Sequence, residues 1–456
     1  MTQAPMEKKF RFTDVILSVI CVVFVAEAAA PVAVLGNSQF FWWIFLMIAF
    51  LLPYGLIAAE LGTAYEGEGG LYDWVRNGLG NRWAGRVAWY YWINFPLWMA
   101  SLAVIFPELL GMILGRELPL LAAILIELAF IWIVVLACSF PVSESVWILN
   151  TAAVIKVFLA LTVGFLGLWA AVTRGVANPM TPGSFLPSFD LYSLSFISVI
   201  MFNFLGFEVI TTYSASMKQP GKQIPQAIIA GGLVIAAIYI FSAFGIGAAI
   251  PTDEISTSSG LIDSLQLLTG QEGGLFISIM AILFLLTLFG NMISWSFGVN
   301  SVARYAAKNG HLPGVFGISE KRNQMPQGAN FMNGIVASLV VIIAPLLPSE
   351  DLFWSFFSLN LVMFLFSYVP VFPAFLKLRK KDPQRPRPFM VKGGEGLLKV
   401  IAYVPMVLLL ISVVFVAVPL SGEEVSEKLP VLLGTILAVL LGEVLTRRPR
   451  RKNRAG

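Results

Sequence analysis

Two carboxylates and one ammonium group stand inside stretches that are otherwise almost wholly apolar. Glu27 lies in Ala26-Glu27-Ala28-Ala29-Ala30-Pro31, and Glu208 ends Asn203-Phe204-Leu205-Gly206-Phe207-Glu208. Lys156 lies in Ala152-Ala153-Val154-Ile155-Lys156-Val157-Phe158. A charged group at the centre of a bilayer costs roughly 2.5–3.5 kcal/mol on insertion scales, so such residues mark solute or ion pathways by default. Each carboxylate has three possible tasks: to hold a substrate ammonium, to carry a proton, or to brace irregular backbone by accepting hydrogen bonds. Lys156 also has three. It takes up and releases a proton, it acts as a fixed cation, or it snorkels to the inner interface. Paired carboxylates also serve glycoside hydrolases. Here they sit in interrupted apolar runs, with no nucleophile motif and no metal-ligand spacing. Cys21 and Cys138 both lie within apolar runs, and the single His311 cannot build a triad or metal site alone. No enzyme activity, cofactor or metal is expected.

The elements that must carry these residues are membrane spans. The chain is 58% hydrophobic and 12% charged, where soluble domains carry about 25% charged residues. Mean hydropathy is +0.82 over all 456 residues. A span needs roughly 20 apolar residues. Twelve such runs are expected, near 15–35, 40–61, 87–114, 119–139, 145–172, 190–213, 226–250, 272–300, 331–347, 352–375, 397–420 and 429–446. With the N-terminus placed in the cytoplasm, all Lys and Arg except Arg116, Lys156, Arg174 and Lys428 fall on the cytoplasmic side. That is the bias the positive-inside rule requires, and it puts both termini inside. The expected division is a cytoplasmic N-terminus 1–14, a transport core 15–375, a basic cytoplasmic loop 376–396, two further spans in 397–446 and a basic tail 447–456. The tail is a topology signal or a seat for anionic lipid. The basic residues form no stripe, so no nucleic-acid partner is expected. The partners expected are a small solute, protons and the lipid of the cytoplasmic (inner) membrane.

Two runs carry breaks. Pro31 removes a backbone donor in the first, with Gly36 close behind, and Gly206 admits non-helical backbone in the sixth. Runs one and six are five apart. Inverted five-helix repeats put discontinuous helices at corresponding places and bind solute and coupling ions at the exposed backbone. The expected fold is thus an all-α polytopic membrane protein of twelve helices. It is a five-plus-five inverted repeat with broken helices one and six, followed by two more helices. Glu27, Ala28, Ala30, Phe202, Asn203, Gly206 and Glu208 are the candidate substrate-binding residues. Lys156 is the candidate for proton coupling, and Phe202, Phe207 and Glu60 are the candidate gates. Tyr91, Trp92 and Asn94 in the third run are further possible lining. The tryptophans at 42, 43, 89, 92, 295 and 354 suit interfacial belts or gates.

Four motifs carry a resemblance. They are Pro53-x-Gly55-Leu56-x-Ala58-Ala59-Glu60-Leu61 with Gly69-Gly70-Leu71-Tyr72-Asp73-Trp74; Gly206-Phe207-Glu208 with Lys218-Gln219-Pro220-Gly221-Lys222-x-Ile224-Pro225; Ser301-Val302-Ala303-Arg304-Tyr305-Ala306-Ala307-x-Asn309-Gly310; and Arg385-x-Arg387-x-Phe389. With these the chain resembles the amino acid–polyamine–organocation superfamily. Within it, the likeness is nearest to glutamate/γ-aminobutyrate antiporters and then to plant-type polyamine permeases. The resemblance implies a secondary transporter of amino acids or related amines working by alternating access, proton-coupled or exchanging. A polyamine or monoamine permease is the alternative, and a transporter-derived sensor or a channel is a remoter one. It also implies that Glu208 contacts substrate, that Phe202 is a gate, and that Lys156 matches a fifth-span lysine used in place of sodium. Ala28, Ala29 and Ala30 depart from the Gly-Ser-Gly-type break that receives a substrate carboxylate on free N–H groups. The departure tilts the site toward an amine, or toward a zwitterion held differently.

Overall fold

The computed structural model describes residues 23–65, 69–140, 146–207, 219–271, 273–320, 325–347, 351–421 and 425–447. These residues form helices and connecting turns, with no strand among them. The helices are α1 (Ala29–Ala33), α2 (Gly36–Ala64), α3 (Leu71–Leu79), α4 (Asn81–Leu114), α5 (Leu120–Ala137) and α6 (Val146–Thr173). They continue with α7 (Leu191–Phe202), α8 (Pro220–Ala249), α9 (Gly260–Thr269), α10 (Leu275–Lys308) and α11 (Gln327–Ile343). Last come α12 (Leu352–Tyr368), α13 (Val371–Lys381), α14 (Glu395–Ala417) and α15 (Val425–Thr446).

Among the described residues, ten helical segments are long and apolar enough to cross a membrane. They coincide with ten of the twelve apolar runs. The first and sixth runs are described only in part, from residue 23 and up to residue 207. Among the described residues, the first run shows helix at Val23 and then the five residues of α1, and the sixth run shows α7, which stops at Phe202. Several helices also outrun their apolar stretch by a turn or more. α4 begins at Asn81 rather than near 87, and α10 runs on to Lys308 rather than 300. Backbone hydrogen bonding continues a helix past the point where its side chains become polar.

In the first run the break is not at Pro31. Val25 is extended (φ −126°, ψ 124°), Ala26–Ala28 make a 3₁₀ turn, and α1 starts at Ala29. Pro31 falls in the first turn of α1, where its missing N–H leaves no helical bond unmade. In α2, Pro53 does disturb its helix. Its absent donor lies just beyond a widened π-turn at Met47–Leu51, which absorbs the mismatch without ending the span. In the sixth run, Asn203 and Phe204 turn the chain out of α7, and Gly206 adopts φ +93°. A side chain is strained in that conformation, and a Cβ there would also meet the Trp295 ring at 2.9 Å.

α4 packs along α12, α10, α5 and α11, while α8 packs on α6, α1 and α2. The two broken segments meet between these groups, with α1 against both α7 and α8.

Candidate solute site between two broken helices

Glu27 sits in the 3₁₀ turn of the first break and is 1% exposed. Asn291 of α10 donates its amide N–H group to both carboxylate oxygens, at 2.7 Å each. Lys156, also 1% exposed, acts on the carboxylate electrostatically from α6. The lysine is therefore turned into the protein and does not snorkel to an interface. Trp98 of α4 is a further neighbour of Glu27. A buried carboxylate is tolerated only with such donors and cations around it.

The second break is tied to the first by one hydroxyl. Tyr239 of α8 accepts from Val25 N–H (2.9 Å) and lies 3.0 Å from both Val25 O and Asn203 Oδ1. Its single proton satisfies one of the two oxygens at a time. Tyr239 also stacks on Trp43 (5.3 Å), and Trp43 meets Phe204 edge-on (5.0 Å). One backbone donor at the first break, Val25 N–H, is thus occupied by protein.

Beside Glu27 the aromatic rings form a box. Trp98 lies 5.7 Å from Phe202 and 5.8 Å from Trp295, and Phe364 lies 5.3 Å from Phe202 and 5.6 Å from Trp295. Phe357 adds a face 5.5 Å from Phe202. Such faces carry negative π density and attract cations. Several buried polar atoms around the box have no hydrogen-bond partner among the described residues. They are Asn203 Nδ2, Asn291 Oδ1 and both amide atoms of Asn360. Asn360 lies on α12 between Phe357 and Phe364, three and four residues away, and so shares their helix face. Orphaned buried polar groups are rare in a folded interior and mark places where something else binds.

Not every residue expected from the sequence comes to this place. Glu27, Ala28, Phe202, Asn203 and Gly206 do, with Lys156 behind them. Phe207 is fully buried next to Gly206. Ala30 lies away from the box, where its Cβ faces Gly260 of α9. Trp92 packs on Phe316 and Trp89, and the Asn94 amide bonds to Tyr91 O on its own helix. Tyr91 stacks on Phe364 at the edge of the box. Glu208 lies outside the described residues. Glu60 is far along α2, held by arginines. Tyr239, Asn291, Trp98, Phe364 and Asn360 were missed as site residues. The available signal was a polar residue alone in an apolar run, as in Leu288-Phe289-Gly290-Asn291 and Leu359-Asn360-Leu361.

A many-helix membrane protein with two interrupted helices meeting around a buried carboxylate is built as a carrier for a small solute. The amino acid permease family model matches residues 10–441, and the chain belongs to that family. It is a transporter and not an enzyme, and a multi-pass protein of the cell membrane. A probable agmatine/putrescine antiporter of Lactococcus lactis subsp. lactis is 61% identical over 97% of this chain and 95% of its own length. A glutamate/γ-aminobutyrate antiporter of the same organism is 24% identical, covering 83% of this chain and 78% of the relative. A polyamine transporter of Arabidopsis thaliana is 24% identical, covering 77% and 69%.

Proposed function

We propose that this protein is an antiporter of cationic amines, exchanging a guanidinium-bearing amine such as agmatine for a diamine such as putrescine. The observation that carries the reading is Glu27, buried, gripped by Asn291 and set beside an aromatic box. Carboxylate and ring faces both favour a cation. A substrate carboxylate would need free backbone donors at the first break, and Tyr239 already takes the one at Val25. An amine without a carboxylate fits these groups better than an α-amino acid. The name of the 61% identical relative supports the same substrate class, and exchange as the mode.

In this reading the architecture is the five-plus-five inverted repeat over 15–375 with two appended spans, and both termini are cytoplasmic. The two broken segments with α2 and α8 move against the rest. Phe202 and Phe207 close over the solute, and Glu208 completes the site. Lys156 is the coupling residue, because it is the cation that faces Glu27 when no amine does.

The test is labelled agmatine uptake into proteoliposomes holding the purified protein. With putrescine inside, uptake should run at least tenfold faster than into empty vesicles. Equal rates would remove exchange. Exchange of glutamate or γ-aminobutyrate, with none of agmatine, would replace the amine reading by an amino-acid one.

A further inference from the structure

Two motifs far apart in the chain meet at one buried carboxylate. Glu60, near the end of α2, is 1% exposed. Its Oε1 pairs with Arg387 Nε at 3.1 Å. Its Oε2 accepts from Arg379 Nη2 and from the Val391 backbone N–H at 2.8 Å. Arg379 Nη2 also donates to Val391 O at 2.6 Å, which fixes the far end of the loop to the same point. Residues 382–391 thus cross the end of α2 as a strap. The strap grips α2 at two further places. Arg385 donates to Ala64 O at 2.6 Å and stacks over the Tyr65 ring, while the Tyr65 hydroxyl donates to Asp382 at 3.0 Å. It also touches α8, since a Cβ on Gly221 would lie 2.8 Å from Pro388 O. On its other side, α13, which carries Arg379, packs against α3 and α14, and Lys381 bonds to Asn77 O at 3.1 Å.

The strap therefore joins α2 and α8 to the other helices at one end of the bundle. That end holds most of the Lys and Arg, which places it at the cytoplasm in the topology proposed above. We infer that Arg379 and Arg387 are positioning residues of the transport cycle: by holding Glu60 they keep the 382–391 strap closed over the cytoplasmic exit, and Glu60 must be released before solute leaves on that side. The inference rests on the proposed alternating access of α2 and α8. The chemistry suits a contact that opens repeatedly. Desolvation of three charges offsets much of their attraction, so returning them to water at an opened exit exchanges one set of partners for another. A hydrophobic plug of the same area would resist opening far more.

The test uses the full chain with Cys21→Ala and Cys138→Ala, carrying Ala64→Cys as a reporter beneath the strap. Labelling by a membrane-impermeant maleimide from the cytoplasmic side needs no substrate, so it is independent of the amine assignment. Arg387→Ala should raise the labelling rate at least fivefold. Gly221→Ala, which wedges a methyl group against Pro388 O, should raise it in the same direction, and Arg387→Lys should restore most of the protection. In exchange assays Arg387→Ala should shift the population toward the cytoplasm-open form, raising external KM and lowering internal KM by about threefold or more. Putrescine-dependent thermal stabilisation of the unsubstituted chain reads the solute site separately, and its absence would count against the amine reading alone. Unchanged labelling in both Arg387→Ala and Gly221→Ala would overturn the inference. So would equal changes of KM on the two sides together with a general loss of melting temperature.

Discussion

Glu27 is the residue on which the reading turns. Its oxygens are held by Asn291 and its charge faces Lys156, so it is supported even before a ligand arrives. Glu27→Gln keeps the size and removes the charge. It should weaken putrescine and agmatine binding at least tenfold while leaving the melting temperature without ligand within about 2 °C, as read by thermal shift. A matching collapse of the ligand-free melting temperature would make the residue a brace. Asn360 offers a second test. Its amide is buried with neither atom paired among the described residues, a state that costs about 1–3 kcal/mol. Asn360→Leu should therefore leave stability unchanged or raise it, and lower amine affinity. Lower stability with unchanged affinity would remove Asn360 from the site.

At the scale of elements, the site exists because two helices stop. The first stops around the extended Val25, and the second at Asn203, and Tyr239 of α8 fastens both. Tyr239→Phe keeps the ring stacked on Trp43 but leaves Val25 N–H and Asn203 Oδ1 without that partner. A loss of about 1–3 kcal/mol is expected, with exchange falling at least tenfold; a near-native exchange rate would mean that the breaks hold themselves. The position of the first break also shows why local signals mislead. Pro31 looks like a helix breaker, yet it sits where a helix can begin. The true break is at Phe24–Val25, two apolar residues that no propensity argument singles out.

Across the whole molecule, apart from Glu27 and Lys156 at the breaks, most charge lies toward the ends of the bundle and aromatic and polar contacts lie between. At the end opposite the strap, the Ser256–Ser259 turn joins α9 to α12: Ser259 Oγ donates to Asp263 at 2.7 Å and Thr257 Oγ1 to Asp351. Burial pushes both aspartates above their ordinary range. A raised carboxylate favours the folded protein when protonated, so this contribution is full below the unfolded value and is lost as pH rises through the folded one. Asp263→Asn should accordingly raise the melting temperature by about 1–2 °C at pH 7, with the gain shrinking as pH is lowered toward 4. A gain independent of pH would assign the effect to packing.

The sequence by itself determined the class of the protein. Hydropathy is a local, additive property, so ten spans could be read directly and recur as helices among the described residues. It also named Glu27 and Lys156, because a charge in an apolar run stands out whatever surrounds it. Only the tertiary structure decided which groups face those charges. Asn291 lies 264 residues from Glu27, Tyr239 lies 214 from Val25, and Arg387 lies more than 300 from Glu60. Such pairings depend on how helices rotate and cross, which side-chain packing sets. Composition and periodicity do not encode it one helix at a time. The aromatic box is a case in point, since Trp98, Phe202, Trp295 and Phe364 look like ordinary membrane aromatics until four helices bring them together.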